Sequence, residues 1–171
     1  MFILYNEYNK RKGNKTMFRP GTSDGFNHYS NRNMRNTPKW KYNCAGYALG
    51  IFSWYCPYDA EVGHHFGDYD MTDEFSPLRS QALMECINQM LADFNDLRVI
   101  HSLKELEENE YAIAFRLSWD DFHYMRRADN GHWYEKRGSE NCIRTVTVEE
   151  VFSDNWNGRY DGNIVLFAKG K

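Results

Sequence analysis

The stretch Tyr42-Asn43-Cys44-Ala45-Gly46-Tyr47-Ala48-Leu49 places a cysteine at the head of an apolar run, directly after a residue type that caps helices. We predict that Asn43 is the cap and that residues 44–55 form a buried first helix, which ends near Cys56-Pro57. A helix start carries partial positive charge, which favours the nucleophilic thiolate form of a cysteine. Cys44 is therefore a candidate nucleophile, although free cysteines are more often small buried hydrophobes.

The remainder of the chain has the pattern of one long helix followed by strands. Ser76-Pro77 supplies a capping hydroxyl and a proline at the first helical position, and apolar residues then recur every three to four positions up to about Asp96. Strands are predicted over 97–101, 111–119, 122–127, 132–137 and 163–168, and a short helix over 147–152. Helices followed by a mostly antiparallel sheet indicate an α+β domain, with the N-terminal helices packed on the sheet.

One hairpin decides whether a histidine and a carboxylate can meet. If Asp129-Asn130-Gly131 is a three-residue loop with its glycine in the left-handed conformation, Met125 faces Glu135 across the hairpin. His123 then shares a face with Glu135 as a diagonal neighbour, about 7–8 Å away at the backbone, so that a glutamate could reach the imidazole. A two-residue loop would place the two side chains on opposite faces.

These residues define a candidate site. Cys44 would be the nucleophile, His123 the base, and Glu135 the group that orients the imidazole. Backbone N–H groups at the helix start would bind the oxyanion, with Asn43 and Tyr42 as candidate contributors. Two alternatives stay open: Glu135 as a solvated carboxylate paired with Arg126 or Arg127, and Asn43 as a helix cap alone.

Length and charge narrow the class of protein. The 171 residues suffice for one domain with a hydrophobic core, which we divide into an irregular, Asn-rich lead-in over 1–40 and a folded domain over 41–171. A net charge of −3 gives no electrostatic reason to expect nucleic acid as the partner. No secretory leader is recognised and no run approaches the ~20 apolar residues of a membrane span. We expect a cytoplasmic protein without a membrane partner, with release by lysis or dedicated export left open.

Metal and cofactor sites are not predicted. The chain contains four cysteines, Cys44, Cys56, Cys86 and Cys142. None of them forms a C-x-x-C pair, which argues against a structural zinc site, and reduced thiols are the default for an intracellular protein. The pair His64-His65 could belong to a metal-binding loop over 63–70, but adjacent histidines rarely bind one ion together and no third ligand stands out.

With these residues in view, the chain resembles the NlpC-type papain-like cysteine hydrolases, and more closely their small gut-bacterial and phage-borne members. The resemblance covers about residues 38–170 and depends on three short segments: Asn43-Cys44 with Tyr47-Ala48-Leu49, Asp121-Phe122-His123-Tyr124 with Arg126, and Asp129, Gly131, Trp133, Lys136 and Gly138. It implies a papain-like (NlpC-like) fold and a peptidase or amidase that cleaves an amide bond, for example in peptidoglycan stem peptides. Cys44 carries over as nucleophile and His123 as base. The third position in such families is often histidine, and here it is Glu135.

Two other functions stay open on the sequence. A catalytically silent papain-like binding protein, such as a phage-encoded inhibitor, would engage a host protein through its aromatic residues, which make up 16% of the chain, and through its Asn-rich arm. The same triad could also transfer an acyl group instead of hydrolysing an amide. The predicted partner is therefore a peptide or amide substrate for either enzyme, and a host protein for the silent alternative.

Overall fold

The structure, a computed structural model, describes residues 41–51, 53–57, 77–118, 121–138, 140 and 142–171. Along these residues the elements are α1 (Cys44–Ala48), α2 (Pro77–Asp93), β1 (Leu97–Ile100), β2 (Glu110–Leu117), β3 (Phe122–Arg127), β4 (Trp133–Lys136), β5 (Ile143–Val146), α3 (Val148–Val151) and β6 (Val165–Gly170). The predicted lead-in over 1–40 and the histidine pair at 64 and 65 lie outside the described residues.

The strands form one six-stranded sheet in the order β1-β6-β2-β3-β4-β5. Each neighbouring pair in this order is antiparallel, which confirms the predicted α+β class. Strand β2 lies in the middle, and seven of its eight residues are buried. The strand is almost continuously apolar because both of its faces are covered.

The two faces of the sheet have separate cores. On one face the helices α1 and α2 pack on β2, β3 and β6. This core includes Ala48, Leu49, Cys86, Met90, Phe115, Tyr124 and Phe167. The other face is covered by α3 and the chain that follows it. The second core includes Ala114, Met125, Trp133, Val151, Trp156, Tyr160 and Leu166.

Helix α1 is shorter than predicted, because a glycine ends it. Gly50 has φ +71°, a left-handed conformation that glycine adopts without steric cost. Its N–H donates to the Tyr47 carbonyl at 3.2 Å, and the Ile51 N–H donates to the Gly46 carbonyl at 3.0 Å. These two bonds form a Schellman motif, which satisfies the last carbonyls of the helix. The prediction of a helix over 44–55 was wrong beyond Ala48.

The hairpin that joins β3 to β4 has the predicted register. Gly131 has φ +81°, and the Ala128 N–H donates to the His132 carbonyl at 2.9 Å across a three-residue loop. Met125 is the cross-strand partner of Glu135, as predicted. Strand β5 was not predicted, and it extends the sheet by pairing with β4.

Candidate active site

The hairpin brings His123 and Glu135 into direct contact. The Nε2 atom of His123 lies 2.7 Å from Oε2 of Glu135, and both residues are buried. Their Cα positions are diagonal across β3 and β4, so two side chains from one face of the sheet converge. The bond to Glu135 fixes the orientation of the imidazole and leaves Nδ1 as the nitrogen available for a further partner.

Cys44 is the further partner of His123. Helix α1 packs against β3 and β4, and Cys44 at its start is close enough to the His123 imidazole to contribute to the raised pKa of the ring. Burial opposes a positive charge on the ring, but the hydrogen bonds to Cys44 and Glu135 outweigh it and raise the pKa of His123 to about 9. The imidazole is therefore protonated at neutral pH, between a sulfur and a carboxylate.

Two arginines complete the surroundings of Glu135. Arg137 donates from Nε to Oε1 of Glu135 at 2.8 Å, and Arg144 donates from Nε to the same oxygen. Burial alone would raise the pKa of Glu135, but the bond and charge of His123 and the bonds of both arginines lower it to about 2. Glu135 is thus an ionised carboxylate with no exposed surface, and the alternative of a solvated carboxylate was wrong.

Asn43 caps α1, as predicted, and its side chain is occupied by local structure. Its Oδ1 accepts from the Gly46 N–H at 2.9 Å and from the Tyr55 N–H at 3.2 Å, while Nδ2 donates to the Tyr55 carbonyl at 2.7 Å. Gly46 permits this arrangement, because a Cβ there would lie only 2.1 Å from the carbonyl oxygen of Ser53. The cap therefore holds the start of α1 against residues 53–55 and fixes the position of Cys44.

The side chain of Tyr42 lies apart from the Cys44, His123 and Glu135 group. Its ring packs with Tyr134, and the Nζ atom of Lys136 lies 5.2 Å from its centroid. Since side chains alternate along β4, Tyr134 and Lys136 point to the face opposite Glu135. The structure does not bring the phenol of Tyr42 to the candidate triad.

Four residues that contact the triad were missed from the sequence: Tyr160, Trp156, Arg137 and Arg144. Tyr160 stacks on the imidazole of His123 with ring centroids 5.1 Å apart, and the edge of Trp156 meets it at 6.1 Å. Arg144 lies directly opposite Glu135 across β4 and β5. A signal existed for Arg144 in the alternating run Ile143-Arg144-Thr145-Val146, which is typical of a strand. No local pattern places residues 156–160 over the imidazole.

The cysteine and the histidine of this group are almost completely covered. Cys44 is 4% exposed and His123 is 2% exposed. Water exclusion strengthens the charge interactions among Cys44, His123 and Glu135, because the local dielectric is low. The same burial restricts the path by which a substrate carbonyl would reach the sulfur.

Comparisons with protein-family models, with curated proteins and with solved structures find no match to this chain. The candidate site is therefore defined by its own geometry. In the part of the chain that the structure describes, no helix has the length and apolar character needed to cross a membrane. Among the same residues, no three His, Cys, Asp or Glu side chains are grouped as metal ligands would be.

Proposed function

We propose that this chain is a papain-like (NlpC-like) cysteine hydrolase that cleaves an amide bond through Cys44, His123 and Glu135. The observation that supports it most strongly is an imidazole that is bonded to the Glu135 carboxylate at 2.7 Å and is close enough to Cys44 for the sulfur to contribute to its raised pKa. A nucleophile, a base and an orienting acceptor in this order are the parts that acyl transfer by a thiol requires.

In the first half of the reaction, the Cys44 thiolate attacks the carbonyl carbon of the amide and a C–S bond forms. Negative charge develops on the carbonyl oxygen, and we assign its stabilisation to the backbone N–H groups at the start of α1. The protonated imidazole of His123 then donates its proton to the amide nitrogen as the C–N bond breaks. With a pKa of about 9, the imidazole carries this proton at neutral pH and can transfer it to the leaving amine.

In the second half, water releases the acyl group from sulfur. His123, now neutral, accepts a proton from the water as its oxygen attacks the thioester, and the C–S bond breaks to give a carboxylic acid. Glu135 stays ionised throughout, because its pKa of about 2 keeps it unprotonated beside the ring. Its role is to orient the imidazole and stabilise its positive charge.

Peptide stems of peptidoglycan are the substrate class that we propose, and the resemblance to NlpC-type hydrolases supports this choice. Purified peptidoglycan should release free amino groups when it is incubated with the protein. Cys44→Ala should lose this release completely, whereas Cys142→Ala should keep it. Equal release by Cys44→Ala and the unmodified chain would exclude this mechanism.

Thiol labelling tests the nucleophile without knowledge of the substrate. Cys142 is an exposed cysteine whose pKa is raised by its hydrogen bond to Glu140, and burial raises the pKa of Cys86. At pH 6.5 iodoacetamide should therefore modify Cys44 faster than either of them, as located by peptide mass spectrometry. Faster modification of Cys142 would argue against an activated Cys44.

The burial of the site favours a second candidate, a catalytically silent binding protein with the same architecture. With Cys44 only 4% exposed, a peptide substrate has little direct access to the sulfur. A silent protein would show slow labelling of Cys44, no release of amines from peptidoglycan, and a stable complex with a host protein. Affinity capture followed by reconstitution from purified components would distinguish the two candidates.

A further inference from the structure

The imidazole of His123 is covered by two aromatic rings from a distant part of the chain. The ring of Tyr160 is stacked on it, with planes 26° apart, and the ring of Trp156 meets it edge-on at 82°. Trp156 and Tyr160 are joined to each other by an antiparallel bridge, with a 2.9 Å bond from the Trp156 N–H to the Tyr160 carbonyl. Residues 156–160 therefore act as one unit, which we call the aromatic cap.

The phenol of Tyr160 ties the aromatic cap to the start of β3. Its hydroxyl donates to Oδ2 of Asp121 at 3.0 Å, and Oδ1 of Asp121 accepts from the Phe122 N–H at 2.8 Å. Burial and the neighbouring carboxylate raise the pKa of Tyr160, so the phenol keeps its proton and remains a donor. Asp121 thus links the strand that carries His123 to the ring that covers it.

Arg116 ties the aromatic cap to β2. It is the cross-strand partner of His123, and its guanidinium lies 5.0 Å from the centroid of the Trp156 ring. It also donates from Nη1 to the Tyr160 carbonyl at 3.4 Å and from Nη2 to the Ser153 carbonyl. The aromatic cap is therefore anchored to both β2 and β3, independently of the contacts that His123 makes with Cys44 and Glu135.

We propose that Tyr160 is a positioning residue for the Cys44 and His123 pair, an inference that rests on the proposed function. The bond to Glu135 holds one nitrogen of the ring, but rotation about that bond would still carry Nδ1 away from the sulfur. A stacked ring opposes this rotation, because turning the imidazole would break a face contact of 5.1 Å. The cap also shields the bond between His123 and Glu135 from water, which strengthens it.

Nuclear magnetic resonance of the imidazole tests this role without any catalytic readout. The Nε2 proton of His123 should give a resolved, slowly exchanging signal in the unmodified protein and in Tyr160→Phe, which keeps the ring. In Tyr160→Leu the exchange of this proton with water should accelerate at least tenfold. Phe152→Leu is the matched control, since Phe152 is 44% exposed and contacts Trp133 instead of His123.

Iodoacetamide labelling of Cys44 at pH 6.5 gives the second readout. Misplacement of a catalytic group by about 1 Å can cost up to ~100-fold in rate, so Tyr160→Leu should slow labelling by about tenfold. Tyr160→Phe and Phe152→Leu should each change it less than twofold. Unchanged proton exchange and unchanged labelling in folded Tyr160→Leu would overturn the positioning role.

The failure of this inference and that of the proposed function are distinguishable. If Cys44 of the unmodified protein labels slowly, the hydrolase proposal fails, while the proton exchange still reports whether Tyr160 holds the ring. If Tyr160→Leu does not fold, Tyr160→Met takes its place, because it also removes the stacked ring and keeps a side chain of similar length. Exchange in Tyr160→Met that is no faster than in the unmodified protein would then contradict the proposal.

Discussion

The two faces of the β3–β4 hairpin both bury charge, and they stabilise it in different ways. On the face covered by the aromatic cap, His123 and Glu135 pair opposite charges at 2.7 Å. On the face covered by the helices, the cations of Arg126 and Lys136 lie against aromatic rings. The guanidinium carbon of Arg126 is 3.5 Å from the ring centroid of Tyr111.

This difference shows that buried charge alone does not mark a reactive site. Burial lowers the pKa of Arg126 to about 10, so the guanidinium stays protonated at physiological pH and takes no part in proton transfer. His123 lies between a thiol and a carboxylate, and it can give or take a proton without losing both partners. The imidazole and its carboxylate partner therefore lie on one face, while the buried cations of the other face contribute packing.

The largest predicted effect comes from removing the negative charge on the cap-covered face. Glu135→Gln keeps the shape of the side chain but removes the negative charge that pairs with His123, Arg137 and Arg144. Breaking a buried ion pair in this way typically costs about 3–5 kcal/mol, and we expect the lower end because the arginines are partly exposed. Urea denaturation measures the free energy of unfolding. A loss below ~1 kcal/mol would mean that the charge of Glu135 is not needed to stabilise the cap-covered face.

The stability that His123 and Glu135 contribute should fall at both high and low pH. The pKa of His123 is raised to about 9, so its stabilisation is complete below about pH 6.5 and is lost as the pH rises through 9. The pKa of Glu135 is lowered to about 2, so its contribution is present above about pH 4.5 and is lost as the pH falls through 2. In His123→Gln, thermal unfolding should show a smaller loss of stability between pH 6.5 and 9. An identical loss of stability in both proteins would mean that groups other than His123 cause it.

The position of Cys44 at the start of α1 requires the close approach of this helix to residue 53. Gly46→Ala would put a methyl carbon 2.1 Å from the Ser53 carbonyl oxygen, so the backbone must shift, at a typical cost of about 1–3 kcal/mol. Labelling of Cys44 should slow at the same time. Gly170→Ala is the matched control, because its nearest contacts begin at 3.4 Å. Equal stability of the two variants in urea would show that α1 tolerates the displacement.

The smallest effect is expected on the helix-covered face. Lys136→Met keeps the length of the side chain and removes its charge, and an apolar replacement of a buried cation is commonly close to neutral, within about 1.5 kcal/mol. The labelling rate of Cys44 should be unchanged. A labelling rate that falls as far as in His123→Gln would mean that both faces serve the site.

The parts of the site that follow from local chemistry could be predicted from the sequence. Asp129-Asn130-Gly131 favours a three-residue loop, and this loop fixes the register that brings Glu135 to His123. The end of α1 was missed although Gly50 signals it, because the apolar pattern continues past the glycine. Tyr160 could not have been found, since its position depends on how a segment beyond β5 folds back over the sheet.

The pH dependence of Cys44 labelling tests most directly whether the sulfur and the imidazole act as a pair. The rate of iodoacetamide modification should be measured by mass spectrometry from pH 5 to 9.5 in the unmodified protein and in His123→Gln. We expect rapid labelling that persists below pH 6.5 in the unmodified protein, and labelling that rises only at alkaline pH in the variant. Superimposable profiles in the two proteins would contradict this expectation.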